Sequence, residues 1–417
     1  MKKNQLFCYY QQELKRQKNT LNLIASENYP SPEVLFYSGS LLMTKYSEGY
    51  PNKRYYQGCK YIDEIEKLAV KLAKNLFKAD YANVQPHSGS QANQIVYLAL
   101  LRPNDKILSL DLLAGGHLSH GAQVNFGGIF YLVYHYNLNP ITQQLDYEEI
   151  RKKAQEIKPK LIIAGYSSYS LKVNFGKFRE IADEVGAFLL ADIAHVAGLV
   201  ATKLFPDPFP HANVVTFTTH KTLRGPRGGV ILAKKELAEK IDRALFPGFQ
   251  GGANQAIIAA KTQCFYEASQ PDFKEYQKRV LENAKIMANY FLERGVKVIS
   301  GGTETHLLII DTKSSYGLTG KRAAELLEEV EIICNKQMIP YDEEKPWIGS
   351  GIRLGSPALT TRGFKKKEFE KLGEIIHSVL QNPHDNNLKK NLRGKISYLA
   401  KKYDKLNLSH GQKLPDW

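Results

Sequence analysis

Lys221 stands at the end of a β-branched and aromatic run, Val214-Val-Thr-Phe-Thr218, just before a polar turn carrying Gly225, Pro226, Gly228 and Gly229. A lysine at the end of a buried strand, among the hydroxyls of Thr218, Thr219 and Thr222, can be lowered in pKa and act as an amine nucleophile. Taken alone, a surface lysine opening a loop is the commoner reading. Asp192 ends a second such run, Ala187-Phe-Leu-Leu-Ala-Asp192, roughly one β–α–β unit upstream. Ligands of open α/β sheets bind at the carboxyl ends of the strands, so the two residues can face one cleft. A lysine that forms a Schiff base and an aspartate that pairs with a pyridinium nitrogen are what pyridoxal phosphate requires. Ser88-Gly89-Ser90 precedes the helical run Gln94–Leu101 and can offer backbone N–H groups and hydroxyls to a phosphate. By itself such a turn is more often only a helix cap. His117, in the glycine and histidine loop Leu113–Gly121, can stack on the ring. The combination is far more specific than any member.

The elements around these residues alternate. Strand-like Lys106–Leu110, Leu161–Ala164, Ala187–Asp192, Val214–Thr218 and Val230–Leu232 are interleaved with helical Ile62–Phe77, Gln94–Leu101 and Lys177–Val185. This pattern predicts an α/β domain with a mostly parallel sheet. Helices over Glu236–Leu245, Ala256–Ala268 and Glu275–Arg294 follow, with a glycine turn at Pro247–Gly252. A smaller α+β unit comes next: strands Val296–Ile299, His306–Asp311 and Gly351–Gly355, helix Lys321–Glu329, loop Asn335–Gly349, and basic helices Phe364–Gln381 and Asn387–Leu406. The expected division is an arm over 1–20, a large cofactor-binding domain over 21–275 and a small domain over 276–417, the boundary falling in the long helix near 270–280.

Two further stretches invite a functional reading. Ser26, Glu27 and Asn28 directly follow an apolar run, where they either project into a cleft or cap a helix, and local sequence favours the cap. Thr44–Gly58 holds Tyr46, Tyr50, Tyr55 and Tyr56 together with Glu48 and three basic residues. Such a loop can stack on a flat ring, bind an anion and offer a carboxylate; a tyrosine-rich interface is an equal alternative.

Composition sets the bounds. Of 417 residues, 43% are hydrophobic and 24% charged, as in soluble globular proteins. The net charge of +15 suggests an anionic partner without choosing its kind. Cys8, Cys59, Cys264 and Cys334 are scattered, with no metal-ligand spacing, so free thiols in a reducing compartment are expected. No run approaches the ~18 apolar residues of a membrane span. These features predict a cytoplasmic protein without a metal site. No motif for nucleic-acid recognition accompanies the lysine-rich segments 365–371 and 389–402.

The chain resembles the serine hydroxymethyltransferases of the fold-type-I pyridoxal-phosphate enzymes, from about Leu23 to Gly363. The motifs are Leu23-Ile-Ala-Ser-Glu-Asn28, Glu48-Gly-Tyr-Pro51 with Arg54-Tyr-Tyr56, Gln85-Pro-His-Ser-Gly-Ser-Gln-Ala-Asn93, Gly115-Gly-His-Leu118, Ala191-Asp-Ile-Ala-His-Val-Ala-Gly-Leu199, Thr218-Thr-His-Lys-Thr222 with Gly225-Pro-Arg-Gly-Gly229, and Ser350-Gly-Ile-Arg-Leu-Gly355. The resemblance implies an aspartate-aminotransferase-like fold: a large domain with a mostly parallel seven-stranded sheet and a smaller C-terminal α+β domain. It implies transfer of the L-serine hydroxymethyl carbon to tetrahydrofolate, giving glycine and 5,10-methylenetetrahydrofolate, with pyridoxal 5'-phosphate carried on Lys221.

Roles follow from the same resemblance. Asp192 holds the ring nitrogen protonated and His117 stacks on the ring. Gly89 and Ser90 bind the phosphate, joined by Tyr46 and by Gly251 and Gly252 from a neighbouring subunit. Ser167, His195 and Thr218 order the ring, and His220 supports the lysine. Arg353 grips the substrate carboxylate, with Ser26 and His195 assisting. Glu48, the main proton-transfer group, and Tyr56 come from the partner subunit, which implies a homodimer or tetramer. Folate contacts are implied at Glu48, Leu112, Gly116, Leu118 and Gln337. The chain departs from the family at Gln337, where asparagine is usual, at Ala253-Asn-Gln-Ala256 in place of Pro-Leu-x-His, and at Asn22 in place of glutamate. The nearest rival reading is a threonine or allo-threonine aldolase that works without folate.

Overall fold

The computed structural model describes residues 4–404. They form two compact units: one runs from Pro30 to Lys278, and the other joins the N-terminal segment up to Tyr29 with the chain from Arg279 onward.

The larger unit is built on seven strands: β1 (Tyr81–Asn83), β2 (Lys106–Leu110), β3 (Leu132–Tyr136), β4 (Leu161–Gly165), β5 (Phe188–Asp192), β6 (Val214–Thr218) and β7 (Gly229–Ala233). Their order across the sheet is β1-β7-β6-β5-β4-β2-β3. β7 runs antiparallel to both its neighbours and every other pairing is parallel. β4, β6 and β7 are buried along their whole length, as their unbroken apolar runs require in a sheet covered on both faces. One core cluster joins Ala92, Ile95 and Val96 of the helix Gly89–Leu100 to Ile107, Ile163, Leu190, Val214 and Ile231 of the sheet. Register aligns the carboxyl ends: Gly165 lies beside Asp192, and Asp192 beside Thr216. The loops after β2, β4, β5 and β6 therefore leave one edge of the sheet together. The fold expected from the sequence, a mostly parallel seven-stranded sheet in an α/β large domain, is what the chain adopts.

The smaller unit holds a three-stranded antiparallel sheet of β8 (Leu307–Asp311), β9 (Asn335–Gln337) and β10 (Gly351–Gly355), with β10 in the middle. Around it lie the helices Gly320–Glu329, Lys366–Gln381 and Asn386–Lys402. Their apolar faces meet Leu21, Leu23, Phe291, Leu308 and Ile352 in one core. Arg362 is fully buried and binds the two ends of this unit together, donating to the carbonyls of Thr20 and Ala400, each at 2.7 Å. A buried guanidinium with carbonyl partners is satisfied without a counter-carboxylate.

The division between units falls after Lys278, inside the helix Pro271–Leu292. Several other boundaries differ from those expected. Residues 21–29 belong to the smaller unit, not to the large domain, because Leu21 and Asn22 pair in parallel with Ile332 and Ile333. The expected strand Val296–Ile299 reduces to one bridge, Val298 to Ile310, and Asn335–Gln337, expected in a loop, is strand. The arm is a helix, Gln5–Asn19. Leu406, the expected end of the last helix, lies outside the described residues.

Candidate active site

Lys221 follows β6 in a turn held rigid by its neighbours. Thr219 and Thr222 are fully buried. Thr219 Oγ1 donates to Pro226 O at 2.5 Å, and Thr222 Oγ1 to His195 O at 2.9 Å. The threonines next to the lysine thus shape the turn, while Thr218 meets the amine: Lys221 Nζ donates to its Oγ1 at 3.0 Å. His220 is mostly buried, and its Nδ1 has no hydrogen-bond partner. Burial, then the charges of Lys221 and Arg227, push its imidazole down to about 3, so the ring is neutral at physiological pH.

Asp192, at the end of β5, is the centre of a network. Its Oδ2 accepts from Asn93 Nδ2 at 2.8 Å and from His120 Nε2 at 2.9 Å, and its Oδ1 accepts from the Ala194 N–H at 3.0 Å. Burial alone would raise this carboxyl. The His120 and Asn93 donors outweigh it and hold Asp192 well below the usual carboxylate range. His120 Nδ1 accepts from the His117 N–H, so the other nitrogen carries the hydrogen that Asp192 accepts. Asn93 is fixed on both sides, since Thr216 Oγ1 donates to its Oδ1 at 2.6 Å and its amide also donates to Ser119 Oγ at 2.9 Å. Ser119 in turn sits 2.8 Å from His117 Nδ1 and donates its backbone N–H to that nitrogen. Asp192 and His117 therefore share one scaffold, reached through Asn93 and Ser119.

The neighbouring loops are closely fitted. Ser167 and Ser168 donate their N–H groups to Gly115 O, which staples the loop after β4 to the loop after β2. Gly115 has φ +111°, and a Cβ there would lie 2.7 Å from Ser168 O. In the same loop, Leu112 and Leu118 are exposed, and Gly116 is pinned by its N–H to Asp111 O. Ser88 caps the helix Gly89–Leu100 by accepting from the Gln91 N–H at 3.1 Å, which puts Gly89 and Ser90 in its first turn. A Cβ on Gly89 would come within 2.6 Å of the Thr218 methyl, so the helix starts against the end of the lysine strand. His195 is buried, and its carbonyl is the one that Thr222 binds.

A second group gathers around Glu48. The Tyr46 and Tyr56 rings lie 5.0 Å apart, and the Glu48 carboxylate raises the exposed Tyr56 phenol. Cβ atoms on Gly251 and Gly252 would lie 3.1 Å from Glu48 Oε1 and 3.4 Å from the Tyr46 ring. Arg54 holds this loop from beneath: it is paired with Asp63 at 2.9 Å and Glu66 at 2.6 Å, and donates to the carbonyls of Ser47 and Gly49. Its role in the motif is structural.

The third group belongs to the smaller unit. Arg353 lies mid-strand in β10, buried, with Nε donating to Asn335 Oδ1 at 3.2 Å across the sheet. Burial lowers it to about 10, and it remains a cation at neutral pH. The segment before Ser26 rests on the end of the same strand, Gly355 donating its N–H to Leu23 O. Ser26 does not cap a helix, since Ser31 caps the next one, Pro32–Ser38. Gln337 pairs in register with Gly351 and turns its amide to Met338 O.

The serine hydroxymethyltransferase family model matches residues 1–376. The chain belongs to the serine hydroxymethyltransferase family. Within this family, it is 56% identical over 389 residues to a serine hydroxymethyltransferase of Phytoplasma australiense, covering 93% of this chain and 94% of that protein. It is 54% identical over 391 residues to that of Mycoplasma mycoides, 94% of each chain, and 53% identical over 392 residues to that of Prochlorococcus marinus NATL1A, 94% and 95%. The family matches the fold class read from the sequence. Asn93, Ser119, His120 and Thr216 were not singled out there; the His117–His120 spacing in a short turn is the signal that marks one of them.

Proposed function

We propose that the chain transfers the hydroxymethyl carbon of L-serine to tetrahydrofolate, yielding glycine, 5,10-methylenetetrahydrofolate and water, with pyridoxal 5'-phosphate held on Lys221. The observation that carries the reading is the pairing of a buried, ionised, acceptor-only Asp192 with an amine at the end of the next strand. The residues present fit the cofactor. Asp192 accepts a ring N–H, and Lys221 supplies the amine for the aldehyde. Gly89 and Ser90 offer helix-start donors to a phosphate, where the glycine leaves room that a side chain would fill. His117 presents an imidazole fixed by Ser119. When bound, pyridoxal phosphate supplies an electron sink for the carbon whose bond is broken.

The chain's own groups do the rest. Asp192 keeps a proton on the ring nitrogen because its carboxylate is too acidic to take it back. Arg353, a rigid two-pronged donor, binds and orients the substrate carboxylate, and Ser26 assists. Glu48 holds or moves the proton of the substrate hydroxyl, and Tyr56 orients it. The gathering of Tyr46, Glu48, Tyr56, Gly251 and Gly252 supports their joint delivery to the site of a second copy, so that the working form is a homodimer or a higher assembly of it. Leu112, Gly116 and Leu118 offer an apolar and backbone surface to the pterin, and Gln337 is assigned to the same ligand. No helix among the described residues is long and apolar enough to cross a membrane.

The test is spectroscopic and kinetic. The purified protein with glycine is expected to show a long-wavelength absorbance band that grows when tetrahydrofolate is added, and serine cleavage is expected to require the folate. Serine cleavage indifferent to tetrahydrofolate, with ready cleavage of allo-threonine, overturns the folate assignment.

A further inference from the structure

Lys261 lies in the helix Gln255–Ala268, fully buried, and takes no part in the chemistry above. Its Nζ donates to three backbone carbonyls: Val84 at 2.6 Å, Gly229 at 2.8 Å and Pro86 at 3.0 Å. An ammonium has three donors and no acceptor, so three converging carbonyls use it fully, whereas a neutral amine would leave one unmet. The three carbonyls belong to the two chain segments that frame the Ser88–Ser90 turn. Val84 and Pro86 lead into it from β1. Gly229 opens β7 and touches it from the other side: its N–H donates to Pro86 O, and a Cβ on it would lie 2.2 Å from Ser88 O. The lysine reaches this point past Gly228, where a Cβ would lie 2.4 Å from Lys261 Cε. It also borders a cavity of about 560 Å³ shared with His87, Arg227, Tyr46 and Gly252.

We propose that Lys261 is a positioning residue that clamps the strand-to-helix turn at Ser88–Ser90, fixing its N–H donors for an incoming phosphate and placing a buried positive charge behind them. This rests on the assignment of the cofactor phosphate to that turn. The charged and titratable groups facing the ammonium are consistent with it. Burial lowers Lys261 to about 7, with Glu66 and Cys264 pulling the other way. Glu66 is already engaged by Arg54 at 2.6 Å and Gln85 at 2.7 Å. His87 is lowered by burial and by Lys261 itself. A dianion bound at the turn favours the protonated lysine, and the clamp loosens as pH rises past the lysine's titration.

The experiment compares pyridoxal phosphate with pyridoxal, which lacks the phosphate, binding to cofactor-stripped protein. In Lys261→Met, affinity for pyridoxal phosphate is expected to fall about tenfold or more, the worth of a lost charged hydrogen-bond set, while affinity for pyridoxal is unchanged. The wild-type preference for the phosphate form is expected to shrink as pH rises through about 7, and the variant's preference to stay flat. If Lys261→Met does not fold, Lys261→Gln, which keeps two donors, carries the same comparison. An unchanged ratio, or an equal loss for both ligands, overturns the positioning role. Failure of the wild type to bind pyridoxal phosphate at all overturns the cofactor assignment instead.

Discussion

Asn93 donates its side-chain amide to the Asp192 carboxylate at 2.8 Å, across 99 residues of sequence, and is itself locked by Thr216. This bond, after the His120 donor, helps to keep Asp192 ionised in a buried place. Asn93→Ala removes one charged hydrogen bond, so cofactor affinity is expected to fall roughly tenfold to a hundredfold by equilibrium dialysis. Asn93→Asp is expected to be worse, because a second carboxylate beside Asp192 drives one of the pair to protonate. Equal, small effects of the two variants would remove Asn93 from this role.

His220 predicts a pH dependence with a definite sign. Its folded value of about 3 lies below the ordinary 6.5, so the unfolded chain binds a proton that the folded chain refuses. Its contribution to stability is complete above pH 6.5 and is lost as pH falls from there toward about 3. The slope is about 1.4 kcal/mol per pH unit from this one group. Urea unfolding between pH 7 and pH 5 is expected to show a shallower decline in His220→Gln than in the parent chain. An identical decline would mean that His220 takes up its proton in the folded state.

Much of this was legible beforehand because strand ends and glycine turns carry their own signatures. Lys221 and Asp192 could be placed at strand ends from apolar runs alone, and the register of β5 with β6 puts those ends together. The parallel sheet was legible as alternation through five of its strands; the count of seven rested on the family resemblance, because two strands gave no signal of their own. β1 is only three residues long, and β3, at the sheet edge, alternates exposed with part-buried positions, so neither gives a buried apolar run. The scaffold around Asp192 was illegible for another reason. Asn93, Ser119 and Thr216 are ordinary polar residues whose importance comes from being buried together, a property of the fold and not of local sequence. Ser26 misled in the other direction: a serine after an apolar run reads as a cap, yet that run starts as a short strand at Leu21 and Asn22, and no helix begins at Ser26.

The proposed delivery of Glu48 and Tyr56 to the site of a second copy predicts complementation between copies. On the proposed assignment, Lys221→Ala chains lack the cofactor anchor, and Glu48→Gln chains lack the proton-transfer group. Each is expected to be almost inactive alone, Glu48→Gln through a loss of at least a hundredfold in turnover with cofactor still bound. In a mixed dimer, one site combines Lys221 from one chain with Glu48 from the other. Refolding the two variants together should restore about a quarter of wild-type turnover, since half of the dimers are mixed and each holds one sound site. No recovery on mixing would place Glu48 and Lys221 in the same chain's site.

Arg353 offers the sharpest test of substrate recognition, because its surroundings separate charge from shape. It is buried in the middle of β10, lined up by Asn335, and stays cationic at neutral pH. Arg353→Lys keeps the charge but loses the planar pair of donors that matches a carboxylate. The loss is expected to fall on kcat/KM for serine, by roughly a hundredfold, the value of about 3 kcal/mol for a charged bidentate contact. Cofactor absorbance and affinity should be unchanged, since the residues assigned to the cofactor lie in the other unit of the chain. Arg353→Ala should lose more, and a carboxylate-free substrate analogue should not distinguish the three proteins. If Arg353→Lys serves serine as well as the parent chain does, the carboxylate is read elsewhere.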